Sequence, residues 1–404
     1  MKTQYLILLA CLLTTTISAQ SPFIGNLRDF NPIRTAVPFA LIDAKPYHLG
    51  MGEVGVVNMS GNGQSALTQN PALLTANNRQ LDVHATYMPW LDGSNGGDPI
   101  YFRGLGVMLQ ANERHALGLN IKDFELGSSF AIDFFTGDTI DLQPTEWLTS
   151  LSYAYQLHPN WSIGAGLKYV KSDPLRDGEE IFEGYEAINT LMFDLGVHFH
   201  SMQQLSNGLA LHWSAGLSFQ NMGPKVGYFQ GDFAQSYSPA IIRLGGAFRL
   251  TKELNDNHGF DIGMSLQFDK LMVPTPCNCD DDENFVADYL EKSALEGMLT
   301  SFTDDHHGGE DFREIIRKIG MEMGYSYRDL RASLRFGYRY EDPSKGNRTF
   351  WSFGSGLSYK GIYVDAAFVI DDGANDPFRG RMPGAEKISL GVGYRCNIHS
   401  PRDL

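Results

Sequence analysis

The side chains best suited to chemistry lie in three places. Cys277 and Cys279, separated only by Asn278, precede the acidic run Asp280, Asp281, Asp282 and Glu283; His198, His200 and His212 have serines nearby; and Cys11 sits in an apolar stretch close to the start. Thiolates beside carboxylates could hold a metal, but the ligand set is incomplete, and a disulfide across one residue is sterically awkward. Past the leader only Cys277, Cys279 and Cys396 remain. An odd count cannot form a closed disulfide framework. The sequence leaves the pairing of Cys277 with Cys279 open, and the stretch reads as a solvated acidic loop. A serine and a histidine would perform acyl transfer only with an acid to orient the imidazole. Neither a nucleophile elbow nor a spaced triad is visible, so the histidines read as hydrogen-bond partners. No catalytic residue, metal ligand or cofactor is assigned.

The first twenty residues read MKTQYLILLACLLTTTISAQ. Lys2, the apolar run from Tyr5 to Leu13 and the small-residue site Ile17-Ser18-Ala19 make residues 1–19 a cleavable signal peptide. The run is too short for a permanent span, and Cys11 lies mid-run, where a lipid-anchoring cysteine does not belong. No later stretch approaches eighteen consecutive apolar residues, which excludes helical spans. The 43 glycines, 25 phenylalanines and 18 tyrosines suit short strands joined by tight turns. A formal charge of −15 argues against nucleic acid as a partner.

From about residue 80 the pattern alternates with the two-residue period of a strand. Trp161, Ile163, Ala165, Leu167 and Tyr169 oppose Ser162, Gly164, Gly166 and Lys168; Ala332, Leu334, Phe336, Tyr338 and Tyr340 oppose Arg331, Ser333, Arg335 and Arg339. A soluble sandwich would alternate too. Strand length, glycine and serine on the second face, and Trp90, Trp147, Trp161 and Trp351 near strand ends favour a membrane barrel. Strands are expected near residues 80–89, 101–110, 115–134, 145–157, 161–171, 188–200, 209–219, 238–250, 259–270, 318–327, 331–340, 349–359, 361–370 and 386–396. The connections then alternate between short turns and long loops, as in bacterial barrels with periplasmic turns and outer loops. Both termini would lie in the periplasm. The third strand is interrupted at Asp123 to Gly127 and could be two shorter ones.

The expected fold is therefore all-β: a transmembrane antiparallel barrel of about fourteen strands over 80–397, with a tail at 398–404. Residues 20–79 are rich in Gly, Asn and Pro and would form a plug in a lumen wide enough to need one, or else a periplasmic lobe. The insertion 271–317 would be a partly helical outer loop. Its stretch Asn284 to Leu299 has helix-like apolar spacing, and a second short helix is expected over Asp311 to Lys318. Long ordered loops on rigid scaffolds commonly carry recognition. Phe285, Tyr289, Leu290, Leu295 and Phe302 are accordingly the candidate partner-binding residues.

Seven stretches recur in a particular order. They are Asn31-Pro32 before Thr35-Ala36-Val37-Pro38-Phe39, Gly50-Met51-Gly52-Glu53-Val54-Gly55-Val56, Asn70-Pro71-Ala72 and Tyr87-Met88-Pro89-Trp90, then Asn221-Met222-Gly223-Pro224-Lys225, Asp269-Lys270-Leu271-Met272-Val273-Pro274-Thr275-Pro276 and Gly346-Asn347-Arg348. Together the series resembles the PorV family of the type IX secretion system, a branch of the FadL-like barrels of the Bacteroidetes. Read as residues alone, the motifs are scaffold: glycines for close backbone approach, Asn-Pro to end a segment, a turn at Asn221 to Pro224. Ser389, Gly391, Tyr394 and Cys396 resemble the terminal signal of barrel assembly, with Cys396 in place of the usual aromatic and eight residues after it.

The resemblance implies an outer-membrane shuttle in a Gram-negative bacterium. It would take cargo bearing a C-terminal signal domain from the translocon pore protein and pass it to a surface complex with a PorU-type sortase, in contact with outer-membrane lipid and lipopolysaccharide. Two rival functions follow from the same kinship. A FadL-like transporter of hydrophobic small molecules would need an apolar channel, whereas Arg331, Arg335, Arg339, Asp261, Asp269 and Asp194 point to a polar lumen. A lipid A-modifying enzyme would need the serine–histidine–acid convergence that the spacing does not show.

Overall fold

The computed structural model describes residues 31–57, 63–76, 80–91, 98–132, 137, 139–177, 184–206, 208–229, 235–255, 257–277, 287–304, 310–371 and 386–397. The strands are β1 (Leu81–Leu91), β2 (Ile100–Gln110), β3 (His115–Glu125), β4 (Ser129–Ile132), β5 (Thr139–Leu142), β6 (Thr145–His158), β7 (Trp161–Asp173), β8 (Ile188–Ser206), β9 (Leu209–Met222), β10 (Ile241–Asn255), β11 (His258–Leu271), β12 (Ile316–Tyr327), β13 (Leu330–Tyr340), β14 (Phe350–Tyr359), β15 (Ile362–Asp371) and β16 (Glu386–Cys396). All except β4 and β5 form one closed barrel, in which each strand pairs with its neighbours in sequence. Closure is made by β1 against β16, from Leu81 opposite Cys396 to Tyr87 opposite Leu390. A closed antiparallel sheet satisfies every backbone group without an edge, which is what hydrocarbon demands.

Alternation fixes which way each strand faces. Along β7, Trp161, Ile163, Leu167 and Tyr169 are exposed while Ser162, Gly164, Gly166 and Lys168 are buried. Slipping the pairing by one residue would turn Lys168 towards lipid, so the pattern holds the register. Outside the barrel stand Leu105, Leu151, Ile163, Leu195, Leu244, Leu334, Val364 and Leu390, all large and exposed. No helix among the described residues is long and apolar enough to cross a membrane.

Among the boundaries that differ from the sequence reading, four move furthest. The third strand ends at Glu125, and Ser129–Ile132 pairs with Thr139–Leu142 as a separate hairpin. Strands β8 and β10 run on to Ser206 and Asn255, through residues expected in turns. Hydrogen-bonded ribbon continues there although the side chains are polar, because pairing needs no lipid. The helix expected over 311–318 stops at Arg313, and Ile316 begins β12 because Ile316, Lys318, Gly320 and Glu322 turn inward in strand alternation. Trp90 belongs to no outer girdle: it packs at right angles on Phe102 and Phe124, which are buried inside. Cys277 is disulfide-bonded, its partner lying outside the described residues, and Cys396 is free.

Candidate functional site

Residues 31–57 and 63–76 form short turns packed against inward-facing residues of the wall: a 3₁₀ turn Pro38–Leu41, helix α1 (Pro46–Leu49), helix α2 (Gln64–Thr68) and a 3₁₀ turn Pro71–Ala76. Proline opens three of them, as its fixed φ and missing N–H allow. Such a segment cannot satisfy its own backbone, so the wall does. Lys122 on β3 donates to the Ile42 carbonyl at 2.6 Å, Ser389 on β16 to Ala44 at 2.5 Å, and Ser162 on β7 to Ala72 at 3.0 Å. Ser352 on β14 accepts from Gly52 N–H, and Gln267 on β11 accepts from Gly55 and Val56. The Asn70 side-chain amide donates to Val56 at 3.0 Å and to Val197 of β8 at 3.1 Å. Approach is close enough that glycine is required. A Cβ on Gly337 would overlap the backbone of Met51 and Gly52, and one on Gly164 that of Pro71 and Ala72.

Charge is concentrated where this segment meets β11 to β14. Gly52 and Glu53 both adopt left-handed backbone, with φ of 67° and 63°. That turn aims the buried Glu53 carboxylate at Arg339 and Arg348, with Lys318 at 3.5 Å. Burial would raise its pKa, but the Arg348 guanidinium, then Arg339 and Lys318, hold it at about 2. Lys318 also meets Asp269 at 2.8 Å, and Arg243 approaches the same carboxylate at 3.4 Å. Further along the lumen Arg335 bridges Glu322 and Asp365, and Lys168 pairs with Asp194 at 2.7 Å.

One constellation is not visible in the sequence. Asp43 Oδ2 lies 2.6 Å from His48 Nδ1, and His48 Nε2 lies 2.9 Å from Ser65 Oγ. Acid, imidazole and hydroxyl stand in the order of a hydrolytic triad. Yet Ser65 and His48 are completely buried. A Cβ added at Gly55 would press on the imidazole, so no room is left for an acyl group there. Asp43 also accepts from Gln69 at 2.8 Å. Burial would raise its pKa, but His48, Gln69 and Lys45 overcome that and hold it well below the usual carboxylate range. The three residues knot α1 to α2. The histidines singled out from sequence lie elsewhere: His198 and His200 are stacked on β8 with ring centroids 5.5 Å apart, and His212 contacts Thr251.

At the end of the barrel that carries the long connections, the insertion between β11 and β12 folds as helices α3 (Asp288–Glu291), α4 (Ala294–Thr300) and α5 (Glu310–Arg313). Ser293 caps α4 by accepting from Glu296 N–H. The base is tied to the wall. Buried Glu314 receives Lys270 and the Thr275 hydroxyl, and Thr275 N–H donates to Asp304 at 2.7 Å. Tyr237, its phenol pushed up to about 12 by burial, donates to the carbonyls of Tyr289 and Lys292. Gly297 rests against that same ring.

This anchoring sorts the five residues chosen from sequence. Leu295 and Phe302 are exposed, at 67% and 43%. Tyr289 and Leu290 are half-buried and contribute their carbonyls to the anchor, Leu290 receiving Lys225. Phe285 lies outside the described residues. Two further apolar side chains, Leu299 at 68% and Phe312 at 71% exposure, belong with them. Leu299 is four residues beyond Leu295 and shares its face of α4, a spacing readable from sequence.

A closed barrel with an apolar outer belt and a polar inner face defines an outer-membrane β-barrel protein. A family profile described as the type IX secretion system protein PorV matches residues 26–278, more than half of the chain, and the chain belongs to that family. It therefore acts at the outer membrane in type IX secretion. No curated protein gives a significant match. Among solved structures it is similar to the Pseudomonas putida toluene transporter TodX, at 12% identity and TM-score 0.41, covering 89% of this chain and 100% of that one. A Pseudomonas aeruginosa FadL homologue gives 10% identity and TM-score 0.37 over 90% and 99%. LpxR from Salmonella typhimurium gives 9% and 0.36 over 78% and 99%.

Proposed function

We propose that the protein is a carrier: it binds the C-terminal signal domain of cargo leaving the type IX translocon and delivers it to the sortase complex at the cell surface. Residues 31–76 act as a plug, the long connections face outward, and the insertion 271–317 is the binding platform. The observation that carries this reading is the set Leu295, Leu299, Phe302 and Phe312, exposed on an insertion whose base is locked by Glu314 and Tyr237. Exposed apolar side chains on a rigid mount are what a protein partner needs, since little ordering cost remains.

A channel for hydrophobic molecules is the weaker reading. It needs an apolar path, and the described lumen holds buried ion pairs and backbone instead. The test is co-isolation from outer membranes. The wild-type chain should bring down surface proteins that share a C-terminal domain, and Leu295→Glu with Leu299→Glu should lose them while the barrel remains intact. Equal recovery with both would refute the platform, and uptake of hydrocarbon lost on deletion would favour the channel.

A further inference from the structure

The opposite mouth of the barrel, where the short turns lie, holds a cavity of about 560 Å³ whose lining includes Arg249, Arg328, Arg331, Lys360 and Arg395, with Asp329 the one acid. We propose that it is a binding site for a phosphate group, carried by a free solute or by a lipid headgroup. The volume is that of a small-ligand site. Its charge runs against that of a chain with net −15.

Two of the five cations are already neutralised. Arg249 pairs with Asp261 at 2.9 Å, and Arg331 with Asp261 and Glu322. The other three have no carboxylate partner among the described residues and lie instead over aromatic rings: Arg328 at 5.3 Å from Tyr327, Lys360 at 5.4 Å from Tyr359 and Arg395 at 5.1 Å from Tyr363. Three cations with no carboxylate partner among the described residues, around one cavity, suit a multiply charged anion. Guanidinium forks match the oxygens of phosphate, with lysine as a point charge beside them.

The backbone gives a second, independent observation. Arg328 and Lys360 sit in hairpin turns with φ of 53° and 48°. Left-handed positions favour glycine or asparagine, so long cationic side chains there are held at a cost to the fold. Such outliers gather where a function keeps them. Tyr394, which lies on the outer face of β16, also lines the cavity, so it is open to a headgroup from the membrane side and to a solute from the mouth.

The test uses the purified full chain in a phosphate-free alkyl-maltoside detergent. One calorimetric titration adds inorganic phosphate, and a second adds short-chain phosphatidic acid, whose headgroup is a phosphomonoester. Saturable binding of either is expected, weakened about tenfold or more in the variant Arg328→Gly, Lys360→Asn, Arg395→Gln, and reduced by salt. Binding of phosphate identifies a solute site; binding of the lipid alone identifies a headgroup site. Thermal unfolding supplies the control: Arg328→Gly and Lys360→Asn should raise the midpoint by relieving the turns. No saturable binding to either titrant, unchanged binding in the variant, or a lowered midpoint in the two turn variants would overturn the proposal.

Discussion

Glu53 shows how one side chain can hold two parts of the chain together. It reaches Arg339, Arg348 and Lys318 from a left-handed turn that only its glycine neighbour makes easy. Replacing it with Gln leaves three cations around a neutral group, and a loss of about 3–5 kcal/mol is expected in urea unfolding. The pH dependence has a definite sign. A carboxyl at about 2 in the fold, against an ordinary 4.5, contributes stability in full above 4.5 and loses it as pH falls towards 2. The wild type should lose that increment on acidification, and Glu53→Gln should not. Ser65 makes a different case. If Asp43, His48 and Ser65 only join α1 to α2, Ser65→Ala costs about 1 kcal/mol and leaves cargo delivery intact. Loss of delivery with an unchanged unfolding curve would show that the hydroxyl does chemistry.

Among elements, α4 lies between the wall and its surroundings, with Gly297 on Tyr237 and Leu295 and Leu299 on its exposed side. Gly297→Leu should lift α4 from its seat, reducing cargo capture as much as altering Leu295 does while leaving the barrel's heat resistance on denaturing gels unchanged. Strands and insertion are not equally legible in the sequence. Each barrel strand announces itself, because lipid on one side and a polar lumen on the other impose a two-residue period. The alternation that Ile163 and Leu167 make with Gly164 and Lys168 fades only where both sides of the ribbon meet water. That is why the polar ends of β8 and β10 read as turns. Ile316 and Arg317 read as helix because Asp311 to Lys318 is short enough for either period, and the pairing of Lys318 with Asp269 and Glu53 decides the matter. Asp43, His48 and Ser65 carry no period at all. Their meeting depends on irregular turns shaped by the wall, and no spacing rule reports it.

For the molecule as a whole, the outer belt and the polar inner face act together. The belt requires apolar side chains at outward positions, and Leu151, opposite Leu119 and Leu167 in the wall, is one. Leu151→Arg should cost about 2–4 kcal/mol near the bilayer centre, read from unfolding in lipid. In the carrier reading, recognition falls to the rims, where an apolar insertion stands at one end and a basic cavity at the other. The carrier account therefore depends most on the insertion. Its most direct measurement is the affinity of the purified full chain, in lipid nanodiscs, for an isolated cargo C-terminal signal domain. Saturable binding that falls about tenfold or more with Leu295→Glu and Leu299→Glu is the predicted result. Unchanged affinity in that variant, or no binding by the intact chain, would contradict it.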